Sequence, residues 1–291
     1  GQDGMILANL LPKNKYLVLG QYQNFKKKIK LKKIIYKKID LTNIKDIIKN
    51  LNSFKPNYII HLASKNNSNS RKFIQIKKIH YEYNYKISKN LIDASLKLEK
   101  RPFFIFAGSS EMYGNNRIKV SEKDKFKPKD HYSKYKTDFC NYLIKLKKKF
   151  SIRATTLILF NHDSIYRNNK FLLPRIISHI KNKKIKKLQT IYNLNIKGDF
   201  THAENICTSI IKLIKKNINL DKIILSSGKK TEINDIINRL ILRKKLKIKL
   251  YNKKNYLNIN TIGNNKLAKK NKIISLKKTY YDAALELYNI N

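Results

Sequence analysis

The 291-residue sequence predicts an α/β fold, a doubly wound parallel sheet with helices on both faces, followed by a smaller C-terminal lobe. Two observations predict it. Short apolar runs rich in Ile, Val, Leu and Phe alternate with longer helical patterns, the signature of βα units stacked about a buried parallel sheet. Gly1 and Gly4 stand before an apolar, helix-like stretch, where missing Cβ atoms let backbone approach a phosphate at the helix's positive end. Neither an internal repeat nor a Pro/Gly/Ser linker divides the chain, and its length suffices for a sizeable core.

In chain order, the first helix is expected from Met5 to Leu11, after the Gly1-Gln2-Asp3-Gly4 loop. Strands are expected at Tyr16 to Leu19, Lys33 to Ile39, Tyr58 to Leu62, Phe103 to Ala107, Thr155 to Phe160 and Lys222 to Leu225, each a buried run of four to seven residues. Helices are expected from Asn43 to Leu51 with Thr42 as N-cap, from Tyr81 to Leu98, and from His131 to Lys149. Beyond Leu172 the pattern is more broken, with a helix near Glu232 to Leu240, a strand at Leu246 to Tyr251 and a closing helix from about Tyr280. This gives a nucleotide-binding core over residues 1–165 and a mainly substrate-binding lobe over 166–291, with the strand near 222–225 returning to the core. A dinucleotide fold also needs a strand ahead of its phosphate loop, so the expected sheet lacks its first strand, as in a truncated or mis-started sequence.

Lys and Arg number 65 against 19 Asp and Glu, a formal charge of +46. The cations are nearly all lysine, scattered, and accompanied by abundant Ile and Asn, as an AT-rich coding bias produces. Nucleic-acid readers instead gather charge on one face and use Arg and aromatic platforms, so no specific nucleic-acid partner is expected. A basic surface still steers anionic ligands inward. Cys140 and Cys207 are too few for a disulfide framework and fit no metal spacing; no metal is expected. No apolar run reaches the roughly 18 to 20 residues of a membrane span, and the expected location is the cytoplasm.

Two clusters carry chemistry. Ser109-Ser110-Glu111-Met112-Tyr113-Gly114 follows an apolar strand, where open α/β sheets face their ligands; a plain strand-to-turn reading accounts for the same residues. Tyr132 and Lys136 stand four apart at a helix start, hence on one face. A lysine beside a phenol is expected to lower its pKa, and such a tyrosine can exchange a proton with a hydroxyl during hydride transfer. With 18 tyrosines and many lysines the spacing alone arises easily by chance, but its place 23 residues after Ser109 narrows it.

These segments, with Lys38-Ile39-Asp40-Leu41-Thr42, His61-Leu62-Ala63-Ser64, Leu159-Phe160-Asn161-His162-Asp163-Ser164, Asn193-Leu194 and Asp199-Phe200-Thr201-His202-Ala203, stand in the order found in GDP-mannose 4,6-dehydratases. The chain resembles that family of extended short-chain dehydrogenases over nearly its whole length. The resemblance implies a Rossmann-type core and conversion of GDP-mannose to its 4-keto-6-deoxy product. It implies that Ser109 holds the sugar's 4-hydroxyl, Tyr132 accepts its proton, Lys136 binds the nicotinamide ribose, and Glu111 is the acid/base for elimination. It implies cofactor contacts at Gly1, Gln2, Asp3, Gly4, Asp40, Leu41, Leu62, Ala63, Ser64, Tyr132, Lys136, His162 and Arg167. Substrate contacts are implied at Ser109, Asn161 and Arg175. The implied cofactor is NADP, with NAD as the alternative, and the implied assembly is a homo-oligomer.

The pattern also departs from the family. Its arginine pair after the second strand is replaced around Gln21-Tyr22-Gln23-Asn24, with Lys26 to Lys28 as the available substitute. Its Arg-Asp pair reads Gly198-Asp199, and the Asn258 to Asn264 segment lacks an arginine. Competing readings are a reductase, epimerase or decarboxylase of the same superfamily, and a degenerate nucleotide- or polyanion-binding relative. His61 and His202 are expected to be structural.

Overall fold

The computed structural model describes residues 1–12, 14–22, 34–65, 74–114, 119–251 and 261–290, and for 74–77 the backbone. Its first half runs α1 (Gln2–Leu10), β1 (Leu19–Tyr22), β2 (Ile35–Lys38), α2 (Ile44–Phe54), β3 (Tyr58–His61), α3 (Ile74–Leu96), β4 (Phe103–Ser109), β5 (Lys119–Val120) and α4 (His131–Phe150). There follow β6 (Ala154–Leu159), β7 (Asn161–Asp163), α5 (Leu172–Lys181), α6 (Ile185–Asn193), β8 (Lys197–Gly198), β9 (Phe200–His202) and α7 (Ala203–Lys215). The chain closes with β10 (Lys222–Leu225), β11 (Thr231–Glu232), α8 (Ile233–Arg243), β12 (Ile262–Gly263), α9 (Lys266–Lys270) and α10 (Tyr280–Asn289).

Four parallel strands in the order β10-β6-β4-β3 form the main sheet of this Rossmann-type fold. β1 and β2 make a second parallel pair, and no ladder among the described residues joins β1 to β3. β4 is apolar throughout because both its faces are covered. Phe103, Ile105 and Ala107 pack with α1 and α7, while Phe104 and Phe106 pack with α3 and α4. Phe106 meets Phe139 of α4 edge-on at 4.7 Å, and burying each such ring contributes about 1.5–3 kcal/mol. A separate apolar cluster gathers α5, α6, α8 and α10.

Several expectations need correction. Asn43, not Thr42, caps α2: its side-chain oxygen accepts from the N–H groups of Lys45 and Asp46, while Thr42 donates to Asp40. The first helix begins at Gln2, so the glycine loop is the helix's own first turn. The second apolar run pairs over Leu19–Tyr22, later than its most apolar residues. α3 begins earlier than Tyr81. Leu246 to Tyr251 joins no ladder; its alternation arises because Leu246, Ile248 and Leu250 lie against the α5–α10 cluster while Lys247 and Lys249 face solvent. α7, unrecognised in sequence, covers one sheet face. Residues 23–24, 26–28 and 258–260, invoked for cofactor and substrate selection, lie outside the described residues.

Among the described residues no helix is long and apolar enough to cross a membrane, and no His, Cys, Asp and Glu group could hold a metal ion. Both cysteines are buried free thiols.

Candidate active site

The C-terminal end of β4 delivers the first cluster. The strand ends at Ser109, whose Oγ accepts from the Glu111 N–H at 3.2 Å and so starts a 3₁₀ turn over Ser110–Tyr113. Gly108 lets that end approach β6: a Cβ there would lie 2.9 Å from Thr156 Cγ2 and 3.1 Å from the Leu157 carbonyl. The Glu111 side chain is open to solvent yet densely surrounded by protein. Burial first, and the Asp130 carboxylate second, push its pKa up to about 7, against the pull of Lys136.

α4 delivers the second cluster. Asp130 caps it, accepting from the Ser133 N–H at 2.7 Å, and thereby fixes Tyr132 in the first turn. Lys136, one turn on, is buried; its Nζ donates to the Ala107 carbonyl at 2.6 Å and lies 5.5 Å from the Tyr132 ring centroid. Burial takes the Lys136 pKa down to about 7, opposed by Glu111. The expected effect on the phenol is therefore reversed. Burial, then the Glu111 charge, hold Tyr132 above its ordinary value, against a Ser64 hydrogen bond and the Arg167 charge. Lys136 is not among the groups that set the phenol's shift, which its own burial dominates.

Leu62, Ala63 and Ser64 leave the end of β3 half-buried, with Ser64 reaching Tyr132. At the start of α1, Gly1 is the N-cap with no side-chain cap, leaving first-turn N–H groups free to meet an anion. A Cβ built on Gly4 would have only the Leu62 side chain near it, at 4.0 Å. Asp3 does not spoil this positive end. His162 donates from Nε2 to the Asp3 carboxylate (3.1 Å) and from Nδ1 to the Phe160 carbonyl (2.6 Å), and two acceptors demand a ring protonated on both nitrogens. Burial opposes both charges, but the pair prevails: Asp3 is held below and His162 above its ordinary value. Gln2 is buried, donating to the His162 carbonyl and accepting from Ser164.

Arg167 pairs through Nε with Asp163 at 3.1 Å and stacks on Phe171 at 3.6 Å, while Asp163 also accepts from the Tyr280 hydroxyl at 2.6 Å. Asn161 is exposed at the start of β7. Asp40 lies apart at the end of β2, exposed and held low by hydrogen bonds from Thr42, and Leu41 beside it is buried. Arg175 sits farther along α5 with no side-chain partner at Nε. The structure thus brings Ser109, Glu111, Tyr132, Lys136, Ser64 and Arg167 into one electrostatic group, and leaves Asp40 and Arg175 at its margins.

Sequence reasoning missed Asp130, although Asp-x-x-Ser ahead of Tyr132 is a capping signal. It also missed Tyr280, for which no local signal exists. His61 shares a hydrogen bond with Ser88 and, with its pKa taken down to about 3 by burial first and Lys136 second, stays neutral. His202 caps α7 and meets Glu286. Asp199 is buried and accepts from Ser227, Gly228 and Gly263, tying the β10 loop to β12.

A family model described as GDP-mannose 4,6 dehydratase matches residues 1–286. GDP-mannose 4,6 dehydratase 2 of Caenorhabditis elegans is 24% identical over 68% of this chain and 53% of its own length. GDP-6-deoxy-D-talose 4-dehydrogenase of Aggregatibacter actinomycetemcomitans is 30% identical over 65% of this chain and 63% of its own. The chain therefore spans about half to two thirds of the length of these curated relatives. Among solved structures, RMD from Pseudomonas aeruginosa complexed with NADPH superposes with a TM-score of 0.72 at 15% identity, over 87% of this chain and 85% of its own.

Proposed function

The chain belongs to the GDP-mannose 4,6 dehydratase family, and from that premise we propose that it is a nucleotide-sugar 4,6-dehydratase acting on GDP-mannose. The observation that carries this reading is the meeting of Glu111 with Tyr132 and Lys136, two pieces of chain that interact electrostatically at the end of β4. A reductase needs the tyrosine and lysine; only an elimination needs a carboxyl group that exchanges protons near neutral pH.

The first turn of α1 suits a dinucleotide pyrophosphate, with Gly1 to Gly4, Leu62 to Ser64, Asp40, Leu41, Lys136, His162 and Arg167 as the residues to hold it. NADP bound there, or NAD, would supply a hydride acceptor for C4 and a donor for C6. Ser109 orients the 4-hydroxyl and Tyr132 takes its proton, giving a ketone that acidifies the C5 proton. Glu111 removes that proton and returns one to the departing 6-hydroxyl, so that water is lost across C5 and C6, and the proton that Tyr132 took goes to C5 as C6 is reduced. Asn161 and Arg175 serve the nucleotide sugar. We assign residues 1–165 to the cofactor core and 166–291 mainly to the substrate lobe, and place the enzyme in the cytoplasm as a homo-oligomer.

Incubation with GDP-mannose and trace NADP, followed by mass spectrometry, tests the reading. Loss of one water without net NADPH formation is the expected result, and Glu111→Gln abolishes it. A bound nucleotide sugar with no 4-keto-6-deoxy product overturns it. The 30% identity to a 4-dehydrogenase favours one rival, a 4-keto reductase, which would instead consume NADPH stoichiometrically with a keto sugar.

A further inference from the structure

The turn after β7 is tied to the start of α1 by several bonds. Gln2 donates to the His162 carbonyl and accepts from Ser164, His162 donates to Asp3, and the Arg167 N–H closes the turn on the Ser164 carbonyl at 3.0 Å. Arg167 therefore stands beside the helix end that suits a pyrophosphate. Its guanidinium stacks on Phe171, and Nε approaches Asp163 Oδ1 at 3.1 Å, while the side chain stays 26% exposed. That approach is an ion pair without an aligned hydrogen bond, and among the described residues neither Nη group has a hydrogen-bond partner. The pairing falls short of the usual one. A buried carboxylate such as Asp163 commonly takes an arginine as a fork, through two parallel N–H···O bonds. Here its Oδ2 is already occupied: the Tyr280 hydroxyl, reaching from α10 across 117 positions of sequence, donates to it at 2.6 Å. The Tyr280 ring packs on Phe200 at 5.0 Å, which holds the hydroxyl in place. Burial, then the Asp163 charge, keep this phenol well above its ordinary value, so it remains a donor.

We propose that Tyr280 is a positioning residue for the dinucleotide site: by occupying Asp163 Oδ2 it denies Arg167 the bidentate fork and leaves both Nη groups to the cofactor's pyrophosphate. The role rests on the cofactor reading above and adds to it a residue of the closing helix. Without the hydroxyl, Oδ2 becomes a buried acceptor lacking a partner. The nearest remedy is rotation of the guanidinium, so that an Nη group joins Nε on the carboxylate. The pyrophosphate then loses a charged donor. Removal of the Tyr280 hydroxyl thus weakens dinucleotide binding through Arg167.

The test is titration of the full chain with NADPH, read by nicotinamide fluorescence, for wild type, Tyr280→Phe, Arg167→Gln, the double variant and Tyr281→Phe. Phe keeps the ring on Phe200, so the fold survives the first substitution. Tyr281, the next residue of α10, donates its hydroxyl to the Arg239 carbonyl at 3.3 Å, and its replacement reports what loss of a hydroxyl from this helix does by itself. Tyr280→Phe is expected to weaken NADPH about three- to tenfold, Arg167→Gln about tenfold or more, and Tyr281→Phe not at all. In the Arg167→Gln background, Tyr280→Phe is expected to change the dissociation constant by less than about twofold, which a general loosening of the fold would not produce. Unchanged affinity in Tyr280→Phe, an equal loss in Tyr281→Phe, or a Tyr280→Phe effect that persists in full without Arg167 overturns the role. A wild type that binds neither NADPH nor NADH overturns the cofactor reading, and this role with it. NADPH binding requires no turnover, so a failed dehydratase assay and a failed positioning role are separate results.

Discussion

Replacing Asp130 with Asn isolates the electrostatic control of Glu111. Asn caps a helix about as well as Asp, so α4 and Tyr132 keep their places and the melting temperature changes little. What disappears is one negative charge beside Glu111, the second largest cause of a carboxyl pKa near 7 rather than its ordinary 4.5. Burial remains, so only part of the elevation is lost. At an effective dielectric constant of about 20, removing one neighbouring charge is worth roughly 1–2 kcal/mol, or about one pH unit. Glu111 must be ionised to remove the C5 proton, so kcat should rise with pH through about 7 in the wild type. In Asp130→Asn that rising limb should move about one unit toward acid. The assay is the initial rate of keto-sugar formation from pH 5 to 9, paired with a carbon NMR titration of the Glu111 carboxyl, which needs no substrate. An unmoved limb, or one moved toward base, refutes the reasoning.

Other outcomes follow from the same contacts. Tyr132→Phe keeps the buried ring but removes the hydroxyl, and should lower kcat by about 10²- to 10⁴-fold with an unchanged melting temperature, measured on the same preparation. His162→Gln should cost about 1.5–3 kcal/mol in denaturant unfolding, because it strands the Asp3 carboxylate. That deficit has a pH window. The lowered Asp3 contributes stability above its ordinary 3.8 and loses it as pH falls through its folded value; the raised His162 contributes fully below 6.5 and loses it as pH rises through its folded value. The difference between wild type and variant should therefore peak between about pH 4 and 6.5 and shrink on both sides. Gly108→Ala should destabilise by about 1–3 kcal/mol, visible as a lower urea midpoint, since its new methyl meets both the Thr156 side chain and the Leu157 carbonyl.

The legible parts of the fold are those whose cause is local. Phe103 to Ala107 announces a strand because each residue is apolar, and each is apolar because both sheet faces are covered. Tyr132 and Lys136 announce a shared face because helical spacing is a property of sequence alone. What escaped depends on neighbours distant in sequence. Leu246 to Tyr251 has a strand's alternation, but no strand among the described residues lies beside it; Gln189 instead holds the Tyr251 backbone, donating to its carbonyl and accepting from its N–H. Thr42 and Asn43 are both good caps, and the choice fell to Asn43 because Asp40 engages the Thr42 hydroxyl. The direction of the Tyr132 shift depended on its own burial and on the nearby Glu111, tertiary quantities that spacing does not encode.

The attachments of α1 are all remote: Gln2 bonds the His162 carbonyl 160 positions away, and the Asp3 carbonyl receives the Cys207 thiol 204 positions away. Each is a loop that must close before its contact yields anything, and chains dominated by such closures order slowly. The surface that receives the helix is made by α7 and β7, so its docking requires both to be in place. A ligand that grips the start of α1 binds the docked helix, so any undocked share would discount its apparent affinity. Strengthening a contact as distant as that of Cys207 would then tighten a phosphate's grip without touching the phosphate.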